Sequence, residues 1–157
     1  MFEEYAAAVS IDLCFQNFAQ ELASLSKMYA PPSGALLLAE IDDAPAGCAA
    51  VRSLDAATCE LKRLYVRPTH RGHNLGRQLA ESALETARAL GYQRIRLDTL
   101  PEMQQAQRLY ESLGFHDIPP YYGEPIEGQR FMEASLAPAL SSSPRTEPRL
   151  KEADTKR

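Results

Sequence analysis

The sequence predicts a mixed α/β fold in which a β-sheet is flanked by helices. The chain has 157 residues, of which 45% are hydrophobic, and this composition suits one compact domain with a sizeable core. Segments with apolar residues at helical spacing alternate with short segments rich in β-branched and aromatic residues. No apolar run approaches the length of a membrane span, so we expect no transmembrane segment.

These patterns place each element along the chain. They predict strands at residues 35–41, 47–53, 58–66, 94–98, 115–118 and 130–136. They predict helices at residues 1–9, after Asp12, from Leu75 to just before Gly91, and after Pro101. The first two strands form an antiparallel hairpin, and strands 58–66 and 94–98 pair in parallel through the helix between them.

The last twenty residues differ in composition from the rest of the chain. Beyond Pro138 the sequence consists mostly of Ser, Pro and mixed charges, which is typical of disorder. We therefore predict a folded domain over residues 1–137 and a disordered tail over residues 138–157.

A short turn with two glycines lies between the third strand and its following helix. Its sequence is Arg-Gly-His-Asn-Leu-Gly, from Arg71 to Gly76. A turn of this kind leaves backbone N–H groups unpaired at the helix N-terminus, and such groups bind anions. Glycine allows a phosphate to approach those donors closely. Residues 61–80 also contain five basic residues and no acidic one, although the formal net charge of the chain is -4. This basic run favours an anionic ligand over a solvated loop that merely precedes a helix.

The spacing of the turn excludes two common phosphate-binding motifs. No Lys-Ser or Lys-Thr follows Gly76, as a P-loop requires, and the glycines do not fit the GxGxxG dinucleotide fingerprint. The turn instead resembles the Arg-Gly-x-Gly-x-Gly pyrophosphate loop of the GNAT superfamily of acyl-CoA-dependent N-acyltransferases. A second segment, Leu-Tyr-Glu-Ser-Leu-Gly-Phe at 109–115, resembles another GNAT motif at the expected distance. The wider sequence is similar to a bacterial subgroup of this family.

The sequence departs from the family pattern at three places. Asn74 replaces the middle glycine of the loop, and asparagine is among the residues that best tolerate a left-handed backbone. Met103 stands where many members have an asparagine that contacts CoA. The chain begins within the first helix of the family, so we expect the opening strand of the family to be missing.

The resemblance implies a GNAT-like mixed sheet whose two central parallel strands splay apart, with acetyl-CoA as co-substrate in the gap and no metal. The backbone of the third strand would pair with the pantetheine, and the turn would bind the pyrophosphate. The implied cofactor-binding residues are Leu64, Tyr65, Val66, Arg71, Gly72, His73, Asn74, Leu75, Gly76 and Arg77.

Two residues are predicted to carry the proton transfers. An amine with a pKa of about 10.4 is neutral in only about one molecule in a few thousand at pH 7, so a base must accept its proton. Glu60 is the predicted base because it lies early on the central strand, where many members carry one; a surface role for this glutamate remains the alternative. Tyr110 matches the family tyrosine that protonates the departing CoA thiolate, although an inward tyrosine on a helix can also be a core residue.

Tyr121 and Tyr122 are the predicted substrate-binding residues. With Glu124 and Glu127 they form an aromatic and acidic loop that suits a cationic amine, or a loop packed by its own tyrosines. We predict an N-acetyltransferase that moves an acetyl group to a primary amine of a small molecule or peptide. The alternatives are a catalytically silent acyl-CoA sensor or interaction module and a nucleotide-binding protein.

The cellular setting follows from the cysteines and the N-terminus. Three cysteines without a CxxC pair favour reduced thiols, and Glu3 and Glu4 occupy the place of a signal-peptide basic region. We expect a cytoplasmic protein that binds neither nucleic acid nor membranes. A missing opening strand would expose residues 35–41 as a sheet edge, so we also expect self-association as a homo-oligomer.

Overall fold

The computed structural model describes residues 1, 3, 4, 7 and 18–137. The Asp12 cap, most of the helix predicted at residues 1–9, any opening strand and the tail beyond residue 137 lie outside the described residues. The helices are α1 (Phe18–Ala23), α2 (Leu25–Met28), α3 (Leu75–Ala89) and α4 (Gln104–Ser112), with a 3₁₀ turn at Pro68–His70. The strands are β1 (Ala35–Ile41), β2 (Ala44–Ser53), β3 (Thr58–Val66), β4 (Arg94–Thr99), β5 (His116–Ile118) and β6 (Arg130–Ser135).

The strands form one six-stranded mixed sheet in the order β1-β2-β3-β4-β6-β5. Among the described strands, β3 and β4 alone pair in parallel, whereas the other neighbours are antiparallel. The predicted parallel pairing through α3 is therefore confirmed, as is the mixed α/β class. None of the described helices is long and apolar enough to cross a membrane.

The predicted hairpin is present, but its turn is shorter than the sequence indicates. Ile41 pairs with Ala44, so only Asp42 and Asp43 connect the strands. Both aspartates have positive φ angles, 51° and 60°, as the favoured two-residue hairpin turns require. The predicted start of the second strand at residue 47 is therefore three residues too late.

The main core lies between the sheet and α3. The inward face of α3 buries Leu79, Ala83, Leu84 and Ala87 against apolar residues of the sheet. Close packing is possible because Gly47 has no side chain: a Cβ there would lie 2.8 Å from the Leu79 Cδ1 atom. Gly91 follows α3 with φ of 91°, and it confirms the predicted end of this helix.

The two central strands separate after a short paired segment. Residues 58–60 of β3 pair with residues 94–96 of β4, whereas β3 remains paired with β2 as far as Val66. The register between β2 and β3 shifts beyond Lys62, and Arg63 has a φ of 58°. This bulge bends β3 away from β4. The separation of β3 and β4 positions the candidate site.

Candidate active site

A groove of about 630 Å³ lies where β3 and β4 separate. The end of β3 forms one wall, α4 forms the other, and the turn before α3 lies between them. The groove is lined by Leu64, Tyr65, Val66, His70, Arg71, Gly72, Asn74, Leu75, Gly76, Arg77, Glu102, Met103, Gln105, Ala106 and Leu109.

The turn before α3 has the conformation that its sequence predicts. Asn74 has φ of 60° and precedes α3, so the asparagine that replaces the middle glycine does adopt the left-handed conformation. Gly72 has φ of 87°. The Gln78 N–H donates to the Asn74 carbonyl at 3.1 Å, and the preceding N–H groups of this first turn of α3 have no acceptor one turn earlier in the helix. They form part of the wall of the groove.

Nine of the ten predicted cofactor-binding residues line this groove, and His73 is the one that does not. A Cβ at Gly76 would meet only the Val66 Cγ2 atom, at 3.8 Å, so this glycine keeps space free inside the groove. Arg71 donates from Nε to the Val66 carbonyl at 3.1 Å. Glu102 and Gln105 also line the groove, and sequence reasoning did not include them. Met103 lines it too, at the position where many family members have an asparagine.

The basic run has a narrower role than the sequence predicts. Arg63 pairs with Glu21, and Arg67 pairs with Glu4 at 2.7 Å. Lys62 pairs with Glu60 and Arg77 with Glu81, so four of the five cations in this run already have carboxylate partners. Of the five, only Arg71 and Arg77 line the groove. Arg77 donates to Glu81 within α3 at 2.9 Å, and it links α3 to α4 because it also donates to Ser112 at 3.0 Å.

Glu60 is fully buried, and it is the last residue of β3 that pairs with β4. Its Oε1 atom accepts from Arg52 Nε at 3.2 Å and lies 3.3 Å from Lys62 Nζ. Its Oε2 atom accepts from the Tyr121 hydroxyl at 2.8 Å. The predicted alternative of a surface glutamate is therefore wrong. Two cations and one hydroxyl hold the carboxylate in one orientation.

A second ion pair spans the gap between the separated strands. Lys62 on β3 and Asp98 on β4 each lie two residues beyond the last paired positions, and their charged atoms are 3.6 Å apart. Gln129 donates to the other oxygen of Asp98 at 3.0 Å. These side chains lie on the sheet face opposite the α3 core, as the alternation with Leu97 indicates.

Tyr121 and Tyr122 cover this polar face of the sheet. Both rings contact the Phe131 ring with centroids 5.3 Å apart. Lys62 Nζ lies 5.6 Å from the Tyr122 ring centre, and the Arg96 guanidinium lies 5.3 Å from that of Tyr121. Burial and the negative charge of Glu60 raise the pKa of Tyr121. Burial and Asp98 do the same for Tyr122, so both hydroxyls are protonated at neutral pH.

Tyr110 lies on α4 with its side chain in the core. It is 6% exposed, and its ring packs against Phe115 with centroids 5.6 Å apart. The groove is lined by Ala106 and Leu109, which precede it on the same helix. Tyr110 is thus next to the groove rather than one of its lining residues.

The polar face contains residues that sequence reasoning missed. They are Arg52, Lys62, Arg96, Asp98 and Glu133. The alternation Arg94-Ile95-Arg96-Leu97-Asp98 does indicate a strand with one charged face. Their convergence depends on strand order, which the alternation does not contain.

Comparisons with known proteins agree with this geometry. Residues 5–115 match the acetyltransferase (GNAT) family. An uncharacterized N-acetyltransferase of Schizosaccharomyces pombe is 40% identical over 139 residues, which span 87% of this chain and 85% of that protein. The crystal structure of an acetyltransferase from Streptococcus agalactiae aligns with a TM-score of 0.69 and 26% identity, over 82% of this chain and 81% of that one. A GNAT family acetyltransferase from Elizabethkingia anophelis, solved with acetyl-CoA bound, aligns with a TM-score of 0.60 and 22% identity, over 76% and 82%.

The chain belongs to the GNAT family of acetyltransferases. The sequence resemblance is therefore confirmed, and the protein is an enzyme of the acyltransferase class.

Proposed function

We propose that this protein moves an acetyl group from acetyl-CoA to a primary amine of a small molecule or peptide, by direct transfer within a ternary complex. The observation that carries this proposal is the position of Glu60. It lies on the polar sheet face where β3 and β4 separate, on the same strand as Leu64, Tyr65 and Val66, which line the groove. A donor in the groove and an acceptor on the polar face would meet at this point.

The residues of the groove fit acetyl-CoA, which supplies the activated acetyl thioester. The first turn of α3 offers amide N–H groups to the pyrophosphate, and the helix dipole favours that negative charge. Arg71 and Arg77 add positive charge beside them. Gly76 leaves the space that the phosphates need, and the unpaired edge of β3 near Leu64 can pair with the pantetheine amides. In the Elizabethkingia anophelis protein the same fold holds acetyl-CoA.

Direct transfer is favoured over an acetyl-cysteine route by the state of the described cysteines. Burial raises the pKa of Cys48 to about 11 and that of Cys59 to about 12. Both thiols are therefore protonated at neutral pH and are weak nucleophiles. They serve as small packing residues, since Cys59 lies in the main core and Cys48 in a second apolar cluster.

Glu60 is the proposed base, and Tyr121 connects it to the acceptor. The Tyr121 hydroxyl already donates to Glu60, so its oxygen lone pairs are available to accept a proton from the amine. As that proton arrives, the proton of the hydroxyl passes to the Glu60 carboxylate. The raised pKa of Tyr121 keeps the hydroxyl neutral before the transfer. In this relay Tyr121 contacts the amine, so Glu60 itself does not have to face the amine.

Tyr110 is the proposed acid for the departing thiolate, because it follows the groove-lining residues of α4. The rival interpretation is a catalytically silent sensor that binds acetyl-CoA without turnover. A panel of primary amines, assayed by release of the CoA thiol, distinguishes them. We expect thiol release with at least one amine, and acetyl-CoA binding without release from any amine would instead identify a sensor.

A further inference from the structure

The polar sheet face contains a row of alternating charges. Arg52 of β2 pairs in register with Glu60 of β3, Glu60 pairs with Arg96 of β4, and Arg96 pairs with Glu133 of β6. Residues in register on neighbouring strands point to the same face of a sheet. The ion pairs within the row have N–O distances of 3.1 Å for Arg52–Glu60 and 2.7 Å for Arg96–Glu133. This row forms the base of the proposed acceptor site.

Arg96 is the member of this row that still has binding capacity. Its Nε atom donates to Glu133, and its guanidinium lies against the Tyr121 ring. Within the described part of the chain, its two terminal amino groups have no hydrogen-bond partner, and 29% of its side chain is exposed. Two coplanar N–H donors at the end of a guanidinium match the two oxygens of a carboxylate. The ring contact and the Nε bond hold this group in place.

The charged side chains around Arg96 disfavour an acceptor with several positive groups. The three carboxylates of this face, Glu60, Asp98 and Glu133, already pair with Arg52, Lys62 and Arg96. The rings of Tyr121 and Tyr122 already contact protein cations. A cationic substrate would therefore displace these cations rather than fill an empty acidic pocket.

We propose that the acceptor is a small zwitterion, with a carboxylate near its amine, and that Arg96 binds this carboxylate. The inference rests on the proposed function, because it names the substrate class of the same site. The carboxylate lies at the terminal amino groups of Arg96, and the amine lies beside the Tyr121 hydroxyl next to it. Amines that have no carboxylate, including polyamines, are expected to be poorer acceptors.

Matched compounds and variants test this proposal. Glycine, leucine and phenylalanine are each compared with their carboxamides and with the amines that decarboxylation leaves. Thiol release from acetyl-CoA gives kcat and KM, and KM is expressed as the concentration of the deprotonated amine. Calorimetry gives the Kd of each compound for the CoA-bound protein. The variants are Arg96→Gln, Glu133→Gln and, as a control of equal charge change on the same face, Arg94→Gln, whose side chain donates to Thr58 instead.

We expect at least one amino acid to bind about ten- to hundredfold more tightly than its carboxamide, the range of a charge-assisted hydrogen-bond pair. Arg96→Gln should abolish this preference and leave the carboxamide unchanged. Glu133→Gln and Arg94→Gln should keep it. A purely structural role for Arg96 would instead weaken both compounds equally.

Each other result separates the inference from the proposed function. Thiol release without a carboxylate preference, or with a preference that survives in Arg96→Gln, overturns the zwitterion proposal and supports acetyl transfer. A carboxylate preference in binding that Arg96→Gln removes, without thiol release from any compound, supports the ligand class and overturns the transfer. Absence of both thiol release and carboxylate-dependent binding overturns the inference.

Discussion

The two glycines of the turn before α3 are required for different reasons. Gly72 has a positive φ, so any side chain there strains the backbone. Gly76 has room around it in the protein itself, since a Cβ would contact only Val66 at 3.8 Å. Its lack of a side chain therefore matters for a ligand rather than for folding, and this difference can be measured.

We predict that Gly76→Val folds but no longer binds acetyl-CoA. In the unmodified protein, acetyl-CoA at a hundredfold excess over its Kd should raise the free energy of unfolding by about 2.7 kcal/mol. The variant should show no such shift in thermal denaturation, because the branched side chain fills the phosphate position. Denaturation without ligand is the control for folding. Unchanged affinity in a folded variant would contradict the assignment of the groove.

Tyr110→Phe tests the proposed acid at the level of one hydroxyl. The variant keeps the ring that packs on Phe115, so the core should remain intact. Turnover should fall by about a hundredfold or more if the hydroxyl protonates the thiolate. The Kd of acetyl-CoA should change little, because that proton is needed only as the thiolate departs.

Tyr92→Phe is the matched control for that experiment. Tyr92 is a buried tyrosine whose hydroxyl donates to the Ser33 carbonyl at 2.6 Å, away from the groove. Loss of this hydrogen bond should lower the free energy of unfolding by about 1 kcal/mol without changing turnover. Equal turnover in Tyr110→Phe and Tyr92→Phe, with chemistry rate-limiting, would make Tyr110 a core residue only.

Among the elements, the bend in β3 depends on a contact with α1. Arg63, the bulged residue with left-handed φ, donates from Nε to Glu21 at 3.0 Å, and Glu21 also accepts from the Tyr29 hydroxyl. Burial by itself raises the pKa of Glu21, but the bonds from Arg63 and Tyr29 outweigh it, and the pKa is lowered overall. The Cys48 thiol contacts the Arg63 carbonyl from the other side, at 3.5 Å. These side chains stabilise the bulge that opens the groove.

We predict that Glu21→Gln destabilises the protein by about 3 kcal/mol, because it leaves Arg63 buried without its counter-charge. The lowered pKa fixes the pH dependence: the contribution of Glu21 is fully present above its unfolded pKa of about 4.3 and is lost as pH falls through the lower folded value. Denaturation from pH 7 to pH 3 should therefore show a smaller acid loss in the variant than in the unmodified protein.

Asp117→Asn is the control for the ion pair. Asp117 pairs with Arg130 at 2.8 Å on the surface, and such pairs contribute about 1 kcal/mol or less. Glu21→Gln should also weaken acetyl-CoA binding, since the bulge sets the course of β3 along the groove. If Glu21→Gln is as stable as Asp117→Asn, the bulge forms without the Glu21 carboxylate.

The elements themselves could be predicted from local sequence, but the bulge could not. The strand at residues 58–66 is indicated by β-branched and aromatic residues, and the end of α3 is indicated by Gly91, and both signals are local. The stretch around Arg63 contains no glycine or proline, and its conformation depends on Glu21, which is 42 residues away. The predicted hairpin turn is too long because aspartate, like glycine, can adopt positive φ, and two aspartates are sufficient to connect the strands.

For the whole molecule, the groove proposed for the cofactor was more predictable than the site proposed for the acceptor. The turn residues are contiguous, so their joint position in the groove follows from sequence order. The partners of Glu60 come from a strand before it, its own strand and a loop 61 residues later. Only the strand order and the path of that loop bring Arg52 and Tyr121 to the same carboxylate, and no local pattern contains this information.

The outer edge of the sheet is where we expect the molecule to associate with itself. β1 is the first strand in the sheet order and pairs with β2 on one side. Leu36 and Leu38, on the same face of β1, are 49% and 56% exposed. Within the described residues, no strand pairs with the outer edge of β1. An edge strand with exposed leucines is a template for pairing with another chain. Burial of these side chains between two copies would add a hydrophobic contribution to that pairing.

We predict that light scattering will detect a dimer or larger species at high protein concentration, and that Leu36→Lys with Leu38→Lys will convert it to a monomer, because charges on an edge strand oppose pairing. Leu54→Lys is the matched control, since Leu54 is also an exposed leucine but lies between β2 and β3, away from this edge. It should leave association unchanged. A monomer at every concentration for the unmodified protein would show that the β1 edge does not pair between copies, and equal effects of both substitutions would show that association depends on another surface.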